Sequence, residues 1–149
     1  MKLEDGIKQK NFKNDFNKAI INIIYTNSWL NGLFLDRLKP YDISIQQFNI
    51  LRILRGQHPK PATVNLIQER MLDKMSNASR LVEKLRIKQL VERTTCLEDR
   101  RAVNVVITKK GLTLLSKIES EDKKWDDRYN NLSDSELKKL NQLLDKFKS

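Results

Sequence analysis

The chain is short of the residues that build covalent or metal-held scaffolds. Of its 149 residues one is cysteine, Cys96, and one is histidine, His58. A single thiol excludes a disulfide framework within the chain, and one Cys with one His leaves no ligand set for a metal. Long apolar runs are missing as well. No hydrophobic stretch follows Met1-Lys2-Leu3-Glu4-Asp5-Gly6, so neither a signal peptide nor a membrane span is expected, and the expected compartment is the cytoplasm. There is no internal repeat and no low-complexity segment. Catalytic signatures are absent too: no nucleophile-base pair, no glycine-rich phosphate loop, no carboxylate cluster. His58, beside Pro59, reads as a loop residue. The expectation is a protein that binds rather than catalyses, with no cofactor and no metal.

What is present is positive charge. Lys and Arg number 29 against 19 Asp and Glu, a net of +10, while hydrophobic residues make up 39% and charged residues 32%. Such a basic excess implies a polyanionic partner, because neutralised phosphates release condensed counterions. The excess is not a tail. Between Ser44 and Ile107 stand twelve Lys/Arg and six Asp/Glu, inside a stretch with apolar periodicity. The low hydrophobic share allows only a modest core, so apolar stripes outside it call for a partner.

Apolar residues from Phe12 to Leu38 recur at three- and four-residue steps, predicting a helix from about Asn11 to Leu38 that Pro40 closes. Ser44 and Gln47 form a capping box for a second helix ending near Gly56. His58-Pro59-Lys60-Pro61 is a loop, and a short helix follows from Thr63 to about Met71. Asp73 is the expected N-cap of a helix from Lys74 to Lys88 that keeps Ala78, Leu81, Val82 and Leu85 on one side. Leu90 to Thr95 and Ala102 to Ile107 are β-branched runs around a polar loop, the pattern of a hairpin. Leu115, Ile118, Asp122, Trp125, Tyr129 and Leu132 then mark a helical seam. Ser133 and Glu136 cap a last helix.

The fold class expected is mainly α with a small β-hairpin wing, a winged helix-turn-helix. The major groove admits one helix, and the 74–88 segment offers the right one. Opposite its apolar face lie Ser76, Asn77, Ser79, Arg80 and Lys84. Asn pairs with adenine and Arg with guanine through two hydrogen bonds, while Ser and Lys suit phosphates. The hairpin tip, Glu98-Asp99-Arg100-Arg101, suits a wing that sends an arginine into the narrow minor groove. Asp99 is close enough in sequence to hold that arginine. Cys96, in the same loop, reads as incidental rather than as a redox sensor.

Four stretches together resemble the MarR family of bacterial transcriptional regulators: Ser79-Arg80-Leu81-Val82-Glu83-Lys84-Leu85, Leu90-Val91-Glu92-Arg93, Asp99-Arg100-Arg101-Ala102 and Ile107-Thr108-Lys109-Lys110-Gly111. The resemblance implies one domain over residues 1–149, with a winged head at 44–108 and dimerisation helices at 11–38 and 109–149. It implies a homodimer that places two heads on a pseudo-palindromic operator in double-stranded DNA, as a repressor. Ser76, Asn77, Ser79 and Arg80 carry over as recognition-helix contacts, and Asp99 with Arg101 as the wing's Asp-x-Arg pair, Arg101 entering the minor groove. Family members often take small aromatic or anionic effectors in a cleft between dimerisation helices and head, for which Tyr25, Trp29 and Arg52 are the candidates here. The family usually has glycine between recognition helix and strand, where this chain has Gln89. A left-handed Gln89 costs about 1 kcal/mol. The rival class is a winged-helix protein-interaction module without specific DNA binding.

Overall fold

The apolar rhythm of the first forty residues produces one long helix. A computed structural model describes residues 1–95, 98 and 101–149. Helix α2 spans Asp15–Leu38, four residues shorter at its start than the period suggests, because Asn14 caps it by accepting the Asn17 N–H at 2.8 Å. Ahead of it lies a helix too short to show a period, α1, Leu3–Ile7. It is tied to α2 by Lys18 and Glu4 at 2.5 Å. Pro40 sits in a single 3-10 turn, Lys39–Tyr41, after α2.

Helix α3, Ile45–Gln57, begins at the expected capping box, with the Ser44 hydroxyl accepting the Gln47 N–H and the Gln47 side chain accepting the Ser44 N–H. It buries Phe48, Ile50, Leu51 and Leu54. Strand β1, Ala62–Thr63, was not expected, and two residues carry no alternation to reveal it. Thr63 then caps α4, Val64–Arg70. Helix α5 covers Ala78–Ile87. Strands β2, Val91–Thr95, and β3, Val103–Ile107, form the expected hairpin, and the antiparallel sheet has the order β1-β3-β2. Val91 faces Ile107 and Thr95 faces Val103 in its register. Val91, Val105 and Ile107 point to the core with Leu51, Leu54, Ile67, Val82 and Leu85. Only one face of the sheet is apolar, as a hairpin half in water requires.

Residues Met1–Leu115 make one compact unit and Ser116–Ser149 another. Helix α6, Lys109–Glu119, does not continue to Leu132 as its seam suggests. The Ser120 hydroxyl donates to the Lys117 carbonyl at 2.7 Å, and Glu121 leaves helical geometry to cap α7, Asp122–Tyr129. A serine that bonds back to its own helix backbone competes with the next turn. Within α7, the Trp125 and Tyr129 rings pack at a tilt of 57° with 4.6 Å between centroids. Helix α8, Asp134–Phe147, starts at the expected Ser133/Glu136 capping box. Its Leu140, Leu143 and Phe147 are exposed. No helix among the described residues is long and apolar enough to cross a membrane.

Candidate nucleic-acid interface

Helix α5 has two unlike faces. Ala78, Val82 and Leu85 are buried, whereas Ser79, Arg80 and Lys84 are exposed. The Arg80 and Lys84 side chains have no ion-pair or hydrogen-bond partner among the described residues. Both therefore keep their full donor capacity for an outside acceptor.

The start of the helix differs from the expectation. Asp73 is not its N-cap. The Asp73 carboxylate folds over its own loop, where Oδ1 accepts the Met75 N–H at 3.0 Å and Oδ2 accepts the Gln46 side chain at 3.4 Å. The Met75 N–H, then Gln46, hold this carboxyl below the usual range. Aspartate favours such a local turn over helix. The cap is Asn77, whose Oδ1 accepts the Arg80 N–H at 3.0 Å. Gln68 reaches from α4 to take the Ala78 N–H at 3.0 Å. The four N–H groups that a helix start leaves open are thus partly satisfied within the protein.

These contacts redistribute the expected DNA-facing residues. Ser79, Arg80 and Lys84 share the exposed side of α5, while Ser76 and Asn77 precede the helix. Ser76 Oγ is buried. Asn77 spends its carbonyl oxygen on the cap, which leaves its amide NH2 as its remaining side-chain donor. Arg101 is exposed in the turn before β3. Asp99, Arg100 and Cys96 lie outside the described residues.

The junction of helix and wing carries the left-handed residue. Gln89 has φ 60°. The Leu90 N–H bonds the Leu85 carbonyl at 3.0 Å and the Gln89 N–H bonds the Arg86 carbonyl at 2.9 Å, the paired bonds of a Schellman ending. Leu85 and Leu90, both buried, supply the apolar contact that accompanies it. The opposite side of the junction is tied down as well. The Thr108 hydroxyl donates to the Gln89 carbonyl at 2.8 Å, the Thr108 N–H to Leu90 at 3.1 Å, and Lys110 Nζ to Lys88 at 3.1 Å. At Gly111 a Cβ would meet the Leu90 carbonyl oxygen at 2.4 Å, so the turn packs against a position that admits no side chain.

Sequence reasoning missed the residue that joins the helix to the wing. Glu83 pairs with Arg86 at 2.7 Å on its own helix and with Arg93 of β2 at 3.0 Å. The hydrogen-bonded Arg86, with Arg93 adding its charge, holds the Glu83 carboxyl below the usual range. The three-residue spacing of Glu83 and Arg86 was legible as a helix pair. The bond to Arg93 depends on the turn at Gln89.

Tyr25, Trp29 and Arg52 are not among the residues lining the cavity beside α5. Tyr25 lies under α1, with its ring where a Cβ on Gly6 would fall. Trp29 is exposed, and Arg52 lies over the Phe48 ring at 5.7 Å. That cavity, of about 650 Å³, is lined by Leu35, Lys39, Ile43, Leu81, Lys84 and Lys88 among others. It lies between the end of α2, the start of α3 and the side of α5.

Residues 43–103 match the model of the MarR family. Among solved structures the chain is similar to a MarR transcription factor from Planctomyces limnophilus, with 29% identity, a TM-score of 0.68, and coverage of 91% of this chain and 98% of that one. A cysteine-to-serine mutant of MarR from E. coli complexed with operator DNA aligns at 23% identity and a TM-score of 0.76, covering 93% of this chain and 99% of that one. The organohalide-sensing regulator RdhR in its 2,4-dichlorophenol-bound form aligns at 16% identity and a TM-score of 0.80, covering 93% of this chain and 85% of that one. The last two likenesses are likenesses of fold. No curated protein sequence matches the chain.

Proposed function

We propose, from the premise that this chain is a DNA-binding transcriptional regulator of the MarR family, that it represses transcription by holding a pseudo-palindromic operator as a homodimer. The observation that carries the reading is the exposed side of α5, where Arg80 and Lys84 stand above a buried apolar face with no partner among the described residues. Arg80 is the base reader in this proposal and Lys84 a phosphate contact. Arg101 serves the minor groove from the wing, with Asp99 and Arg100 beside it in sequence. Ser79 adds a phosphate contact, while Ser76 and Asn77 shape the approach to the helix.

The dimer is supported by apolar surface. Phe16 is 65% and Ile24 63% exposed on α2, and α8 exposes Leu140, Leu143 and Phe147. Isolated exposed apolar residues are ordinary, but repeated ones on long helices mark an interface. A second copy covers them. The expected solution mass is twice the 17.6 kDa of the chain.

The effector site in this proposal is the cavity beside α5, which Tyr25, Trp29 and Arg52 do not line. Its lining combines Leu35, Ile43, Leu81 and Ile87 with Lys39 and Lys84, beside Asp36 and an Asp42 already paired with Lys88; a small aromatic acid held there by Lys39 and Lys84 competes with the use of Lys84 on DNA. RdhR, similar in fold, is seen with a small aromatic compound. A thermal-shift screen with aromatic acids tests this part, since a ligand of the folded state raises its melting temperature.

The central test is a mobility-shift assay on the DNA around the gene, repeated across a salt series. Arg80→Ala is expected to weaken specific binding by about 1–3 kcal/mol and relax preference at one base position. Lys84→Ala should lower affinity evenly across sequences and flatten the salt slope by about 0.9. Binding with no sequence preference at any salt defeats the regulator reading. No duplex affinity at moderate salt returns the head to the role of a protein-interaction module.

A further inference from the structure

Two large apolar side chains stand in solvent just before the recognition helix, and the regulator reading makes no use of them. Leu72 is 85% exposed and Met75 94%. They do not sit on a loose strand. The Leu72 N–H donates to Asn49 Oδ1 of α3 at 2.9 Å, and the Met75 N–H to Asp73 Oδ1 at 3.0 Å. The Ser76 N–H donates to the Asp73 carbonyl at 3.2 Å, while Gln46 holds the same aspartate from α3. Lys74 Nζ donates to the Glu69 carbonyl at the end of α4. The backbone of residues 72–76 is thus fixed by α3 side chains and by bonds within the loop and to α4, yet its two apolar residues are left outside the core.

Their place in the motif says what they meet. In a helix-turn-helix the N-terminal end of the second helix contacts base edges, and Met75 lies two residues before the Asn77 cap of α5. Lys74, Arg80 and Lys84 belong to the same stretch, which suits a polyanion better than the apolar surface of another protein. The major groove has one apolar feature to offer, the C5-methyl group of thymine. An unbranched thioether adapts its shape to such a small target.

We infer that Met75, supported by Leu72, reads thymine methyl groups next to the base that Arg80 reads, and so sets part of the operator sequence. The inference rests on the DNA-binding reading and names a specificity contact within it. Asp73 and Gln46 are positioning residues, since they act by holding the turn.

The test begins with duplexes selected from a random pool by the full-length protein. Each thymine of the selected duplex is then replaced singly by deoxyuridine, which lacks the methyl group. Affinities are measured for the wild type, Met75→Ala and Leu72→Ala. Both side chains are exposed, so the variants keep the fold, and unchanged melting temperatures verify this. Loss of one or two particular methyls should weaken wild-type binding about 3- to 5-fold, the effect of one buried methyl. Met75→Ala should weaken binding to the thymine duplex by a similar factor and be indifferent to the same methyl. The two changes then fail to multiply, which marks direct contact. Independent effects at every thymine, with sequence selection intact, overturn the inference and leave the regulator reading standing. A pool in which no sequence is enriched overturns both.

Discussion

Replacing Gln89 with glycine is expected to stabilise the fold by roughly 1 kcal/mol. Gln89 sits at φ 60°, the position just after the Lys88 C-cap of α5. A side chain in left-handed geometry crowds the following carbonyl and costs about 1–2 kcal/mol, a strain that glycine does not feel. Glycine gives back about 0.4–1 kcal/mol, because it frees the unfolded chain. The difference favours glycine because the backbone stays where it is. Its two Schellman bonds and the Thr108 and Lys110 bonds from the far side use main-chain atoms of residues 88–90. The assay is urea unfolding with a thermal melt at fixed protein concentration, since association adds to stability. The midpoint should rise with an unchanged slope, and the melting temperature by about 2–4 °C. Gln89→Ala is the control, because alanine removes the side chain but keeps the strain, and should be close to neutral. If alanine stabilises as much as glycine, the gain comes from losing the side chain and the backbone argument is refuted. DNA affinity should be the same in all three proteins.

Gly111→Ala should act in the opposite direction. The new methyl meets the Leu90 carbonyl oxygen at 2.4 Å and Ile107 Cγ1 at 2.7 Å, so a loss of about 1–3 kcal/mol by urea midpoint is expected, even though alanine is the better helix former by about 1 kcal/mol. Glu83→Gln should change the acid limb of stability. Arg86 holds the Glu83 carboxyl down, so the folded protein takes up this proton at lower pH than the unfolded chain does. The stabilisation is complete above about pH 5 and is lost as the pH falls through the folded value. The gap between wild type and Glu83→Gln should therefore narrow in melts run toward pH 3, and a constant gap would contradict the pairing.

Most of the head was legible because its signals are local. Ser44 with Gln47 and Ser133 with Glu136 are capping boxes, and both cap where the spacing places them. The β-branched runs became strands within one residue of their expected bounds. What escaped depends on partners far away in sequence. The start of α5 was misplaced by four residues, because Asp73 and Asn77 are both good caps in isolation. Gln46 and Gln68 decide between them, and each bonds from another helix. Helix α6 was read too long because its seam continues past Ser120, whose bond to the Lys117 carbonyl the period does not register. The short α1 and β1 have too few residues to carry a pattern.

Ion pairs within the protein explain why a net charge of +10 is a poor count of the groups that meet DNA. Arg86 and Arg93 are engaged by Glu83, Lys88 by Asp42, and Lys18 by Glu4. On α5, Arg80 and Lys84 are left exposed. The engaged cations still contribute to the field that draws a polyanion in, but they add little to the contacts that sort one sequence from another. Sorting requires geometry, and the reading helix is held at both ends: Asn77 and Gln68 fix its start, and the Gln89 turn with Thr108 fixes its end. Glu83 then links the strand of the wing to the helix through Arg93. A helix held in this way gains little by adapting to a wrong sequence. In the proposed reading, discrimination then comes from the few side chains it presents, Arg80 foremost.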